Sequence, residues 1–142
     1  MILCDTGPLV AAAIKNQPAH HASVELFSGL RLAGRTLLVP STVLAEVGYF
    51  LDRFGTPQAE ATFLESIAAG DFVLTELDVD DVSRMAELTR QYADMRLGTT
   101  DASVIALAER LAVTEVATLD RRHFPAVRPR HVAALILLPE QV

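Results

Sequence analysis

Short apolar runs alternate with longer amphipathic stretches along the whole chain. The apolar runs predict strands and cover residues 1–4, 37–39, 72–74, 116–118 and 133–138. Apolar residues recurring every three or four positions predict helices over 19–32, from Ser41 to Gly55, and over 58–69, 79–92 and 100–112, with Ser41 as an expected N-cap. This alternation predicts an α/β sandwich with a mainly parallel sheet, in which 133–138 forms an edge strand.

Length and composition predict one soluble domain spanning residues 1–142. Cys4 is the only cysteine, so we expect no internal disulfide and a cytoplasmic location. The N-terminus lacks the pattern of a signal peptide, and no apolar window approaches the ~20 residues that span a bilayer, so we expect no membrane association. A hydrophobic content of 51% is high for a small monomer and predicts a buried self-interface.

The net charge of −6 argues against nucleic acid as a partner, because affinity for phosphate comes mainly from Lys and Arg. The distribution of charge weakens that argument, since residues 121–131 contain four arginines, two histidines and no acid. This segment is either a solvated or salt-bridged turn or a surface that contacts phosphate. In the second case Arg121 and Arg122, which follow Asp120 directly, are the expected substrate contacts.

Two aspartates follow predicted strands at matching positions. Asp5 ends the first apolar run and Asp120 comes soon after the fourth. In open α/β sheets ligands bind outside the C-terminal ends of the strands, so both carboxylates are expected at one edge of the sheet. Taken singly, either aspartate is equally explained as a turn residue that bonds nearby backbone.

Two further acids lie on predicted helices and face inward. Glu46 is on the margin of the apolar stripe of its helix, about 40° from Phe50, and has no basic residue within a turn of it. Asp101 heads a stripe that continues through Ile105 and Ala108. Glu46 is therefore either a metal ligand or a core-edge side chain, and Asp101 either a ligand or a helix-terminal charge.

Four carboxylates in one cleft would repel one another unless a cation held them together. Their hard oxygen atoms select Mg²⁺ or Mn²⁺ rather than zinc. Metal-assisted hydrolysis of a phosphodiester is a reaction that such clusters perform, with an ionised carboxylate available as a general base. The residues thus predict a metal site formed by Asp5, Glu46, Asp101 and Asp120.

The sequence also resembles PIN-domain nucleases, and within them VapC-type toxins. Four blocks carry the resemblance, and it spans nearly the whole chain: Asp5-Thr-Gly-Pro, Ser41-x-x-x-x-Glu46, Gly98-Thr-Thr-Asp101-Ala-Ser and Ala117-Thr-Leu-Asp120-Arg-Arg-His-Phe124. The resemblance implies a three-layer α/β/α sandwich with a mainly parallel central sheet, usually dimeric. It also implies a Mg²⁺- or Mn²⁺-dependent endoribonuclease that cuts tRNA, rRNA or mRNA and is held inactive by a VapB-type antitoxin in a type II toxin-antitoxin system.

Matched residue by residue, the resemblance assigns metal binding and catalysis to Asp5, Glu46 and Asp101. Asp120 takes a fourth position at which relatives carry Asn or Asp. It further implies an accessory role for Asp94, which precedes the Asp101 helix. Thr6 and Thr118 lie beside Asp5 and Asp120. Their hydroxyls either hold ligand oxygens or are ordinary polar groups at strand ends.

Two other enzyme classes fit this sequence less well than a nuclease does. A phosphatase with Asp5 as nucleophile lacks its second aspartate, because position 7 is Gly, and no G-x-G-x-x-G follows the first strand to bind a dinucleotide. Two alternatives stay open on the sequence: a catalytically silent module that binds RNA or an antitoxin, and a housekeeping RNA-processing nuclease without an antitoxin.

Overall fold

The fold was determined as a computed structural model, which describes residues 1–141. In chain order its elements are β1 (Ile2–Cys4), α1 (Thr6–Ala13), α2 (His20–Leu32), β2 (Leu37–Pro40), α3 (Ser41–Phe54), α4 (Pro57–Ala68), β3 (Val73–Thr75), α5 (Val79–Gln91), a 3₁₀ turn (Ala93–Met95), α6 (Thr99–Leu111), β4 (Glu115–Ala117), α7 (His123–Ala126) and β5 (Ile136–Leu138). Within the described residues no helix is both long and apolar enough to cross a membrane.

The five strands form one sheet in the order β3-β2-β1-β4-β5, and every neighbouring pair is parallel. Helices cover both faces, which gives the predicted three-layer α/β/α sandwich. The central strands are buried on both faces, so their sequences are continuous apolar runs, as Ile2–Cys4 and Leu37–Pro40 show. Because all strands point the same way, the residues that follow them emerge along one edge.

The predicted elements agree with the structure apart from details at their ends. The predicted strand over 133–138 is shorter, at Ile136–Leu138, but lies at the sheet edge as expected. The prediction of Ser41 as an N-cap is wrong: Ser41 is the first residue of α3, and Pro40 precedes it without a side-chain capping bond. The physical reason is that β2 continues directly into α3, so no loop residue is available to turn its side chain back onto the helix.

Ion pairs join α5 to α6 on the part of α6 remote from its N-terminus. Arg84 donates two hydrogen bonds to Glu109, with Nε 2.8 Å from Oε1 and Nη2 3.0 Å from Oε2. Arg110 Nε lies 2.9 Å from Asp81 Oδ2, and Asp81 also accepts from the backbone N–H of Asp78 at 3.0 Å. These paired charges join the C-terminal part of α6 to α5.

Candidate metal centre

The site begins where β1 and β4 end side by side. Cys4 is in register with Ala117, and the backbone N–H of Asp5 extends the ladder by donating to the Ala117 carbonyl at 2.8 Å. Thr118 follows β4, and its fully buried hydroxyl donates to Asp5 Oδ2 at 2.7 Å. The same hydroxyl oxygen accepts from the backbone N–H of Asp120 at 3.0 Å. One threonine therefore connects the two strand-end aspartates.

Glu46 reaches this edge from α3, the helix that continues directly from β2. Its Oε2 accepts a hydrogen bond from the Thr100 hydroxyl at 2.8 Å, in the first turn of α6. A second polar chain joins the same helices, because Thr42 Oγ1 lies 2.6 Å from Ser103 Oγ, which donates to the Thr100 carbonyl at 2.6 Å. The N-terminal halves of α3 and α6 are thus held together, with Glu46 fixed next to Asp101.

Asp101 and Asp120 face each other across the end of the sheet. Ligand atoms of Asp101, Asp120 and His123 all lie within 4.8 Å of one another, close enough to share one metal ion. Asp5 and Glu46 are outside this triplet, yet both repel the charge of Asp101. The structure therefore brings together all four acids that the sequence predicts.

His123, at the start of α7, links Asp120 to the 3₁₀ turn. Its Nδ1 lies 2.8 Å from Asp120 Oδ2 and its Nε2 lies 2.8 Å from the Met95 carbonyl oxygen. Since a carbonyl and an ionised carboxylate only accept, this geometry and the raised pKa of His123 favour the ring with both nitrogens protonated. Asp94, predicted as an accessory acid, is in this turn, where it is exposed and has no hydrogen-bond or ion-pair partner among residues 1–141.

Burial and mutual repulsion raise the pKa of two of the acids. The pKa of Asp5 is raised, chiefly by burial and further by the charges of Glu46 and Asp120, although the hydrogen bond from Thr118 opposes the shift. Burial, followed by the charges of Asp5 and Asp120, raises the pKa of Asp101 to about 6. Both carboxylates carry their negative charge at a cost in free energy near neutral pH.

Asp120 is in the opposite situation. Burial acts to raise its pKa, but hydrogen bonds from the backbone N–H groups of His123 and Arg122 and from the His123 ring outweigh it, so the pKa of Asp120 is lowered. The hydrogen bond to Asp120 in turn raises the pKa of His123. Asp120 is therefore ionised and already has three N–H donors, while Asp101, beside it, has no comparable partner among residues 1–141.

The donor set fits a divalent cation with hard oxygen ligands. Asp5, Glu46, Asp101 and Asp120 supply carboxylate oxygens on one side of the cleft, and the raised pKa values of Asp5 and Asp101 mark a place where positive charge is stabilising. Thr6, next to Asp5, adds a buried hydroxyl that has no hydrogen-bond partner within the described part of the chain. Such a group is suited to bond a water or ligand oxygen at this position.

The two arginines predicted as substrate contacts have different surroundings. The guanidinium of Arg121 donates to the Thr118 carbonyl at 2.6 Å and to the Pro139 carbonyl, and so joins the ends of β4 and β5. Arg122 is exposed, and among residues 1–141 only its backbone N–H is engaged, by Asp120. Arg121 is thus tied into the fold by its two terminal nitrogens, and the substrate contacts expected of Arg121 and Arg122 stay predictions.

Sequence reasoning missed two residues that orient the acids, Thr100 and His123. Both lie within the blocks that resemble PIN-domain nucleases, beside Asp101 and three residues after Asp120, respectively. That proximity is the only signal in the sequence, because their partners Glu46 and Met95 are 54 and 28 positions away.

Replacing His123 by Ala is expected to weaken Mn²⁺ binding about tenfold and to lower the Tm by roughly 3–6 °C, because Asp120 loses a charged donor and the 3₁₀ turn loses its tie. Isothermal titration calorimetry and thermal melts measure the two effects. His131→Ala is the matched control, since His131 bonds the Val113 carbonyl away from the cluster. His131→Ala should lower the Tm but leave the Mn²⁺ affinity unchanged. Equal Mn²⁺ affinity in the two variants would show that His123 does not position Asp120.

Comparison with known proteins identifies the family. A model described as PIN domain matches residues 2–128. The chain belongs to the PIN-domain family. Within that family it is of VapC type, since it is 31% identical over 128 residues to Ribonuclease VapC26 of Mycobacterium tuberculosis, an alignment that covers 90% of this chain and 93% of the relative. The family predicted from the four sequence blocks is thereby confirmed.

Solved structures confirm the fold of this PIN domain. VapC20 of Mycobacterium tuberculosis, described as a sarcin-ricin loop cleaving toxin, matches with a TM-score of 0.75 at 15% identity, covering 85% of this chain and 91% of that one. VapBC2 from Rickettsia felis, bound to a promoter DNA fragment, matches with a TM-score of 0.68 at 18% identity, covering 96% and 97%. FitAcB from Neisseria gonorrhoeae matches with a TM-score of 0.59 at 20% identity, covering 96% of each chain.

Proposed function

We propose that this PIN domain is a Mg²⁺-dependent endoribonuclease, with Mn²⁺ as a substitute, and the toxin of a VapBC-type toxin-antitoxin pair. The observation that carries the proposal is the convergence of four carboxylates from four separate elements on one sheet edge, where the charges of Asp5 and Asp101 are held at a cost. The similarity to Ribonuclease VapC26 supports RNA as the substrate.

In this proposal Asp5, Glu46, Asp101 and Asp120 hold the cation and act as the catalytic acids. A divalent cation bound there would neutralise the cluster and activate water and phosphate as a Lewis acid. Thr118 orients Asp5, and the Thr6 hydroxyl is available to a ligand oxygen beside it. Asp94, in the 3₁₀ turn, is the accessory acid. The fixed hydrogen bonds from Thr118 and Thr100 hold their carboxylates in place before substrate arrives, which lowers the reorganisation that the reaction requires.

The surface beside the cluster supports a VapB-type antitoxin as partner. A groove of about 530 Å³ starts at Thr6 and Gly7, next to Asp5, and continues over apolar side chains of α1 and α3. An apolar antitoxin segment in this groove would lie against the acids and block them. Tyr49 and Phe54 on α3, which are 58% and 59% exposed, support a homodimer in addition.

The proposed activity is tested with the purified chain, freed of any partner and incubated with total bacterial RNA and Mg²⁺ or Mn²⁺. Sequencing of the new RNA ends should reveal cleavage at a limited set of sites. EDTA and Asp101→Asn should each abolish it, whereas Asp71→Asn, which alters an exposed acid paired with Arg31, should cleave normally. Adding the product of a short neighbouring reading frame should suppress cleavage if it encodes the antitoxin.

Two results would change the assignment. Intact RNA under every metal condition, with RNA binding retained, would indicate the catalytically silent binding module. Cleavage without any neighbouring inhibitor would instead favour a housekeeping RNA-processing nuclease.

A further inference from the structure

The twelve basic side chains of this acidic protein divide into two groups. Most of the arginines are engaged within the fold: Arg31, Arg35, Arg84, Arg110, Arg121 and Arg130 bond acids or carbonyls, and Arg53 stacks on Phe54. Five basic side chains have no hydrogen-bond, ion-pair or ring partner among residues 1–141: Lys15, Arg90, Arg96, Arg122 and Arg128. The positions of these five side chains in the fold therefore indicate which of them are available to bind a ligand.

Three of the five lie on two segments that the structure ties together beside the acids. Arg96 follows Met95, whose carbonyl accepts from His123, and Arg122 directly precedes His123. The backbone N–H of Arg128 donates to the Tyr92 hydroxyl at 2.9 Å, just ahead of the 3₁₀ turn. Arg96, Arg122 and Arg128 thus belong to one surface, which we call the arginine rim.

The other two unpaired side chains have separate explanations. Arg90 is in the last turn of α5, where the helix dipole favours a positive charge. Lys15 is in the turn after α1, away from both rim segments. Neither side chain calls for a ligand.

The arginine rim is connected to the acid cluster through Asp120. The backbone N–H groups of Arg122 and His123 both donate to Asp120 Oδ1 at 2.8 Å, and the Asp120 and His123 side chains share the triplet with Asp101. All three rim arginines are exposed, and the one acid on these segments, Asp94, pairs with none of them within the described chain. In a protein with a net charge of −6, exposed guanidinium groups are thus placed next to the acid cluster.

We propose that Arg96, Arg122 and Arg128 bind phosphates of a single-stranded RNA flanking the bond held at the acid cluster. The inference rests on the proposed ribonuclease function and names the surface that holds its substrate. A guanidinium matches a phosphate with two parallel N–H donors, and contacts of this kind set the position of a strand without reading its bases. The rim supplies the local positive charge that an overall acidic chain needs in order to hold a polyanion next to carboxylates.

Binding is separated from cleavage by working in the Asp101→Asn background with a fluorescein-labelled single-stranded RNA and EDTA. Fluorescence anisotropy over a salt series yields the affinity and its salt dependence. The triple variant R96Q/R122Q/R128Q should bind about tenfold or more weakly at ~0.1 M salt, and its log–log salt slope should fall by about 2, because three phosphate contacts are lost. R31Q, which removes one positive charge from an exposed ion pair away from the rim segments, should leave the slope unchanged.

The rim side chains have no partners within the described residues, so the triple variant should keep the Tm and circular dichroism spectrum of its parent. An unchanged salt slope in a folded triple variant overturns the rim, even if the wild-type chain cleaves RNA. If the triple variant instead loses binding to an acidic protein partner while its RNA binding is unchanged, the proposed RNA contact is overturned and the arginine rim is assigned to that partner. RNA binding that depends on the rim in a chain that never cleaves supports the rim while refuting the ribonuclease function.

Discussion

Asp5→Asn is expected to abolish RNA cleavage and, at the same time, to make the metal-free protein more stable. Asp5 is only 6% exposed, and its pKa is raised by burial and by neighbouring acids, so its ionised form destabilises the fold near neutral pH. An amide of the same shape can still accept from Thr118 and removes one charge from the cluster. The variant should gain roughly 1 kcal/mol or more, seen as a Tm higher by about 3 °C.

The loss of activity should be large in the same variant. A bound cation contributes several kcal/mol to stabilising the charge of a transition state, and each ~1.4 kcal/mol corresponds to a factor of ten in rate. We therefore expect cleavage to fall by about 1000-fold, measured as initial rates on one labelled RNA. Higher stability with lower activity is the behaviour of a residue kept for function rather than for folding.

Asp81→Asn is the matched control for this substitution. Asp81 is equally buried, at 3% exposure, but it accepts from Arg110 and from the backbone N–H of Asp78. Its amide variant should lose about 2 kcal/mol, because Arg110 is left without its buried partner, and should still cleave RNA when folded. Destabilisation by both substitutions would show that Asp5 is a structural acid like Asp81.

Raising the pH from 5 to 8 is expected to destabilise the metal-free protein, and Mg²⁺ should reverse the loss. The pKa of Asp101 is about 6 in the fold against an ordinary value of 3.8, so the folded chain holds this proton more tightly. The resulting stability is fully present below pH 3.8 and is lost as the pH rises through 6. The raised pKa of His123 extends the loss further upward, since the favourable imidazolium disappears above it.

Solvent screening sets the size of the stability loss with pH, and the affinity for Mg²⁺ sets the size of the gain. Because Asp101 is only partly buried, we discount its contribution to about 0.5–1 kcal/mol between pH 5 and 8. At pH 8, Mg²⁺ at a hundred times its Kd should add about 2.7 kcal/mol, whereas at pH 5 protons compete and the gain should be smaller. The chain has no tryptophan, so circular dichroism melts are the suitable measurement.

Asp101→Asn provides the check on this pH prediction. Its metal-free Tm should depend less on pH between 5 and 8 than that of the wild type, and Mg²⁺ should stabilise it less. A wild-type Tm at pH 8 that Mg²⁺ leaves unchanged would contradict a divalent-cation site at the acid cluster. A stability that increases with pH over this range would contradict the raised pKa of Asp101.

Much of the fold was predictable because its signals are local. Apolar spacing placed the main helices and strands to within a few residues, and the positions of Asp5 and Asp120 after strands placed both at one edge. The short α7 and the 3₁₀ turn were missed, since elements of three or four residues show no periodicity. The expected N-cap at Ser41 failed because β2 and α3 join without a loop.

The sequence by itself determined the residue types of the site, the parallel α/β architecture and the PIN-domain family, because these follow from local pattern and from blocks of neighbouring residues. Only the tertiary structure decided which side chains are partners: Thr118 with Asp5, Thr100 with Glu46, and His123 with both Asp120 and Met95. It also decided that the Arg121 guanidinium bonds two carbonyls, while those of Arg96, Arg122 and Arg128 have no partner in the part of the chain that the structure describes. These choices depend on contacts between segments far apart in the chain, which the strand order and helix packing create and which no local pattern encodes.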